Sequence, residues 1–193
     1  MKQDIILSGV GGQGILSIAF VLDNAALLDG LNFKQAEVHG MSQRGGAVQS
    51  HLRLSDQQIH SDLVPRGMAD MILSVEPLEA LRYVNYLSED GKIITSSTPY
   101  MNIPDYPDIE EVLEKVREIN KPIIVDSKKL AAEAGSTRAQ NMVMLGAASS
   151  HLIVKEESLI KFIEVLFKPK GQKLVDMNHR AFGLGKKAAN EQS

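Results

Sequence analysis

Two glycine-rich loops hold the residue types best suited to chemistry. Gly9-Val10-Gly11-Gly12-Gln13-Gly14 has the G-x-G-x-x-G spacing between an apolar run and a helical pattern, the context such a loop needs. Glycines there let the backbone turn tightly and approach a ligand, and the helix behind them offers unpaired N–H groups to an anion. A tight strand-to-helix turn that only packs closely uses the same residues. A dinucleotide site would add an acid near the end of the second strand, where Glu37 stands, with His39 and Gly40 just beyond it. The second loop is Ser42-Gln43-Arg44-Gly45-Gly46. It follows the second strand, so it belongs at the carboxyl edge of the sheet, where open α/β sheets bind ligands. Arg44 beside two glycines offers a planar fork to a carboxylate or phosphate. A glycine turn with a solvated arginine is the plainer alternative.

These loops need elements to hold them. The apolar run 4–8 reads as a buried parallel strand, and 14–30 repeats its apolar residues at helical spacing. A second strand covers 33–38. From Ala47 to Leu54 the chain alternates, with Val48, Ser50, Leu52 and Leu54 on one side and Gln49, His51 and Arg53 on a more polar one. Residues 57–62 could add a short hairpin partner. Further strands are expected at 69–75, 92–96 and 122–126. Helices are expected from Pro77 to about Leu87, at 109–119, after a Ser127 cap as far as Gly135, at 138–151, at 156–167, and from 170 to the tail. Strands alternating with helices indicate an α/β, Rossmann-like, mostly parallel sheet with helices on both faces and a helical C-terminal third. No linker divides the chain, so one domain spanning 1–193 is expected.

Composition narrows the function. The chain has 193 residues, 44% hydrophobic and 23% charged, with a formal net charge of −3. It has neither the basic excess nor the dense basic stripe of a nucleic-acid binder. No apolar run reaches membrane-spanning length and no signal peptide is evident, so a cytoplasmic protein is expected. There is no cysteine, hence no thiolate for an iron–sulfur cluster, a zinc site, a disulfide or nucleophilic attack. The five histidines lack metal-ligand spacing. His39, ending a strand at the ligand edge, is the one histidine with a case for a site; His51 reads as solvated or at an interface. Glu111 and Lys115 form an i, i+4 pair on a solvated helix face. The basic run Lys168, Lys170, Lys173, Arg180, Lys186 and Lys187 reads as a solvated helix, or alternatively as a contact for nucleotide phosphates or an acidic partner. Met41, Met142 and Met144, near the loops, suit either the core or a subunit interface.

Taken in order, GVGGQGI, HGMSQRGGAVQSHLR and SVEPLEALRY, followed by NMVMLGA at 141–147, resemble the gamma-type domain of the 2-oxoacid:ferredoxin oxidoreductases. Within that family they are similar to the small, beta-subunit type of the indolepyruvate enzymes. The resemblance covers nearly the whole chain. It implies one subunit of a complex that decarboxylates an aryl 2-oxoacid such as indolepyruvate, yielding the acyl-CoA thioester, carbon dioxide and reduced ferredoxin. It also implies that thiamine diphosphate, magnesium and [4Fe-4S] clusters sit on a large alpha subunit, with CoA as co-substrate and no cofactor held by this chain alone. Glu89-Asp90-Gly91 lacks the first glycine of a GDG motif, in keeping with that division. By resemblance, Gly9, Gly11, Gly12, Gln13, Gly14, Ser42, Gln43, Arg44, Gly45, Gly46 and Asn141 line the shared cleft, with no proton transfer assigned to them. A stand-alone NAD(P)-dependent reductase using the first loop and Glu37, and a purely structural subunit, are the alternatives.

Overall fold

The computed structural model describes residues 1–39 and 45–192, with His39 described by its backbone alone; Met41, Ser42, Gln43 and Arg44 therefore lie outside the described residues. Six strands form one sheet: β1 (Lys2–Val10), β2 (Asn32–His39), β3 (Ala47–Ser55), β4 (Ala69–Ser74), β5 (Leu87–Ser96) and β6 (Ile123–Val125). Their order is β2-β3-β1-β4-β5-β6. β1, β4, β5 and β6 run parallel, while β3 lies antiparallel between β1 and β2. The sheet is mixed, with its parallel half at β1 to β6.

β1 is central, which explains its near-continuous apolar sequence. Ile5 and Leu7 point into the larger core, and Ile6 into the smaller one. The larger core packs under α1 (Ile15–Leu28), α4 (Ser127–Ala134), α5 (Gln140–Ala148), α6 (Glu156–Phe167) and α7 (Gln172–Asn190). The opposite face is covered by α2 (Pro77–Arg82) and α3 (Ile109–Arg117). Glu76 opens α2 as its N-cap, accepting from the Glu79 N–H at 2.8 Å, with Pro77 in the first turn.

The polar face of β3 is less solvated than its alternation suggests. Arg53 stands opposite Asp4 in the ladder and binds its fully buried carboxylate in bidentate fashion, at 2.8 and 3.2 Å. Its third nitrogen donates to the carbonyls of Ser61 and Leu63. Residues 57–62 thus form an arginine-held loop, not the expected hairpin strand. His51 is buried too, contrary to expectation. Its Nδ1 accepts from the Val64 N–H at 3.1 Å, its ring meets Tyr86 edge-on at 5.2 Å, and burial lowers its pKa. The N-cap of α4 is Asp126, which accepts from the Lys129 N–H at 2.9 Å. Ser127 instead turns inward to Ser96 and Gln140. The expected helix at 138–151 is a shorter α5 flanked by two 3₁₀ turns. Met142 and Met144 are fully buried in it, and so are core residues.

Half of the basic C-terminal run forms ion pairs or hydrogen bonds within the chain. Lys168 pairs with Glu164, Lys186 with Glu156, and Arg180 donates to the Ala134 carbonyl at the end of α4. Arg180 therefore closes a helix C-terminus and does not stand ready for phosphate.

α5 and α7 touch backbone to backbone. A Cβ on Gly146 would lie 2.0 Å from the Phe182 carbonyl oxygen, and one on Gly185 would lie 1.9 Å from that of Val143. Neither carbonyl can yield without moving a helix. Gly183, on the exposed face of α7, has no atom within 4 Å of the same position. Gly146→Ala and Gly185→Ala should each lower stability by at least about 2 kcal/mol, the range of core overpacking. Gly183→Ala should be neutral or raise stability by roughly 0.5–1 kcal/mol through helix propensity. Urea denaturation of the three variants checks this, and equal effects would contradict it.

Candidate functional site

The two glycine loops meet. Beyond the β1–β3 ladder, the Gly11 N–H donates to the Gly46 carbonyl at 2.8 Å and the Gly45 N–H to the Gly11 carbonyl at 3.2 Å. Each glycine of the first loop has its own reason. At Gly9 a Cβ would press on Ile15 and the Gln13 amide at 2.8–2.9 Å. Gly14 ends the loop in the left-handed region, and its missing side chain leaves room for Asn141, whose Nδ2 would lie 2.5 Å from a Cβ there. Asn141, at the start of α5, donates to the Gly14 carbonyl at 3.4 Å. Gln13 folds back so that its Oε1 accepts from the Val10 N–H at 2.7 Å. Only Gly12 combines a positive φ of 103° with exposure and open space. Two of the glycines thus serve close packing, and Gly12 faces a cleft.

That cleft, of about 390 Å³, is walled by Gly12 and Gln13 on one side and by Thr137, Arg138 and Gln140 on another, with Val75 and Tyr100 between them. It lies at the carboxyl edge of the parallel strands. Arg138 sits on the 3₁₀ turn Thr137–Ala139, whose N-cap Ser136 accepts from the Arg138 N–H. The turn is tied to the sheet through Gln140: its Oε1 accepts from Ser127, its Nε2 donates to the Thr137 carbonyl, and Ser127 Oγ is 2.7 Å from Ser96 Oγ at the end of β5.

Tyr100 belongs to the segment 97–108, which crosses the same edge. Buried Glu76 anchors it, accepting from the Tyr100 N–H at 3.3 Å and from the Tyr106 hydroxyl. Burial and that bond to a carboxylate push the Tyr106 pKa up. Farther along, Asn102 Nδ2 donates to the Gly45 carbonyl at 2.6 Å. Gly45 and Gly46 thus lie against this segment and the first loop. Arg138, Thr137, Gln140, Tyr100 and Glu76 were not singled out from sequence as site residues. Glu76 read only as the start of a helix, and an arginine in AGSTRAQN carries no signature beyond its place three residues before Asn141.

Glu37 is placed differently from a ribose-binding acid. In a dinucleotide fold the second strand lies directly beside the first. Here β3 intervenes, moving β2 out by one further strand spacing of about 4.8 Å. Glu37 Oε1 accepts from the Gln35 amide, which also donates to Ser50. Its charge reaches Asp23 on α1, a buried carboxyl whose Oδ1 has no hydrogen-bond partner.

The sequence matches the model of the pyruvate ferredoxin/flavodoxin oxidoreductase family over residues 4–188. The chain belongs to this family. Indolepyruvate oxidoreductase subunit IorB of Thermococcus kodakarensis is 42% identical over 202 residues, covering 99% of the chain and 98% of the relative. Ketoisovalerate oxidoreductase subunit VorA of Methanothermobacter thermautotrophicus is 27% identical over 187 residues, covering 96% of the chain but 36% of the relative. Among solved structures, a 2-oxoglutarate:ferredoxin oxidoreductase from Magnetococcus marinus superposes with a TM-score of 0.78 at 22% identity, covering 98% of the chain and 31% of the other. The mixed α/β sheet is thus the fold this oxidoreductase family shares.

Asp23 yields a pH prediction. Burial first, and the Glu37 charge second, raise its pKa from 3.8 to about 7. A carboxyl raised in the folded state binds its proton more tightly there than in the unfolded chain. Its contribution to stability is therefore complete below pH 3.8 and lost as pH rises to about 7. Asp23→Asn should stabilise the protein progressively over that window relative to wild type, by on the order of 3–4 kcal/mol at pH 8. Parallel urea titrations at pH 5 and pH 8 measure the difference, and a pH-independent offset would contradict the assignment.

Proposed function

We propose that this chain is the small subunit of an oxidoreductase that decarboxylates an aryl 2-oxoacid such as indolepyruvate, forming the aryl-acetyl-CoA, carbon dioxide and reduced ferredoxin. The observation that carries this reading is the end-to-end identity of 42% with a subunit so named. The chain's own chemistry is in keeping with a partner subunit. It has no cysteine to ligate a cluster. The family resemblance assigns thiamine diphosphate with its magnesium, and the [4Fe-4S] clusters, to the large alpha subunit.

This chain's part is to form one wall of the shared cleft. The Arg138 guanidinium presents donors and positive charge to an anionic co-substrate, which in this reading is CoA, and the exposed Gly12 lets that group come close to the backbone. Gly9, Gly11, Gln13, Gly14 and Asn141 shape that wall. Gly45 and Gly46 adjoin it, and Ser42, Gln43 and Arg44, which lie outside the described residues, are assigned to the same cleft by the family resemblance. No helix among the described residues is long and apolar enough to cross a membrane. The placement of Glu37 beyond β3 favours this reading over a nicotinamide reductase.

Co-expression with a thiamine-binding large subunit tests it. Ferredoxin reduction by indolepyruvate and CoA should require both chains. Full activity of the large subunit alone would leave this chain a purely structural role, and micromolar NADH binding by the isolated chain would favour the reductase. Arg138→Ala should raise the KM for CoA roughly 10- to 100-fold, the value of a charge-assisted hydrogen bond of about 1.5–3 kcal/mol. Arg44→Ala should lower the activity of the complex while leaving folding intact. Unchanged kinetics would remove either arginine from the cleft.

A further inference from the structure

The segment 97–108 leaves β5, crosses the carboxyl ends of β4 and β1, and returns to α3. It is held at several points. Thr98 bonds to Ser96 and Tyr100 to Glu76 through their backbone N–H groups, Tyr106 bonds to Glu76 through its hydroxyl, and Asn102 bonds to Gly45 through its amide. Buried Glu76 is fully engaged in this and in capping α2. Yet the segment turns its apolar side chains outward: Tyr100, Met101 and Ile103 are 43%, 66% and 40% exposed. Leu16, in the first turn of α1, and Val38, near the end of β2, add exposed apolar side chains at the same edge of the sheet. Apolar side chains held in place but left uncovered make a surface prepared for a partner, because little ordering remains for binding to impose.

We propose that this strap is where the large subunit seats, with Met101 and Ile103 as its apolar anchors and the cleft at Gly12 and Arg138 closed by the contact. The inference rests on the subunit role proposed above. The occupant is indicated by the family relative in which the matching stretch makes up 36% of one longer chain. There the domain works in continuous attachment to a larger body, and a separate small chain must replace that attachment with surface. The strap is the exposed apolar feature that adjoins the cleft, so a body docked there would also wall the ligand.

The test is association of the co-expressed complex, by titration of the purified large subunit with this chain. Met101→Glu and Ile103→Glu should each weaken binding at least about tenfold, as for central interface anchors. Circular dichroism and Tm should stay at wild-type values, since both side chains are exposed. Met68→Glu, equally exposed but at the amino end of β4, should bind as wild type. Wild-type affinity in both strap variants would overturn the proposal while leaving the subunit role standing. Failure of the wild-type chain to bind any thiamine-bearing subunit would overturn both. If the isolated chain self-associates in sedimentation and the strap variants abolish it, a second copy is the occupant and the assignment to the large subunit is wrong.

Discussion

The nine-residue antiparallel ladder between β1 and β3, from Lys2 opposite Ser55 to Val10 opposite Ala47, governs the rest of the molecule. Its register puts Arg53 against Asp4 at one end, so one guanidinium holds a long loop and, together with the Lys2 ammonium at 2.7 Å, neutralises a buried carboxylate. At the other end the ladder runs on through Gly11 and Gly46, so Gly45 and Gly46 are fixed against the first glycine loop. A slip of one residue would turn Arg53 and His51 into the core beneath α1 and bring Leu52 and Leu54 out. By occupying the place beside β1, β3 also displaces β2 and, with it, Glu37. The same ladder therefore builds one site and spoils another, since a dinucleotide pocket needs a parallel second strand where β3 lies.

A second constraint acts behind the loop. Asn141 reaches Gly14 only because α5 sits deep under the sheet, and α5 sits there because Gly146 and Gly185 let α7 press against it without intervening side chains. Arg180 on α7 then closes the end of α4, and the turn carrying Arg138 joins α4 to α5. The C-terminal third is thus the support of the cleft wall as well as a cover for the core. Its basic run looks free along the sequence, but half of it is engaged in three dimensions.

The parallel strands, most helix positions and the glycine loop were legible because each rests on local pattern: apolar runs, 3.6-residue spacing, glycine and proline at turns. The helix expected from Pro77 to about Leu87 instead ends at Arg82, and Leu87 opens β5. What escaped depended on contacts between distant positions. His51 alternates with polar neighbours and reads as solvated, yet Val64 and Tyr86 close over it from segments 13 and 35 residues away. Ser127 looks like a cap but spends its hydroxyl on Ser96 and Gln140, because Asp126 already fills the cap. Arg138 and Tyr100 meet Gly12 only through the sheet's edge, and no spacing in the chain announces that. The ordered motifs gave the family; the wall opposite the glycine loop needed the fold.

The character of the groups at the cleft bears on what this chain contributes. Glu76, the carboxylate beside it, has one oxygen taken by the Glu79 N–H and the other by Tyr100 and Tyr106. It is bound in place by these three hydrogen bonds. Arg138 contributes a guanidinium, and Gln13 and Gln140 carry no ionisable group. Among the described residues lining the cleft, then, none is suited to pass a proton near neutrality, whereas several can orient an anion and one aromatic ring can stack. On the proposed reading, such a wall would lower the free energy of a bound co-substrate and fix its direction, and the bond-making groups would belong to the partner. The apolar strap at the rim of the cleft is then where the proposed partner would meet it.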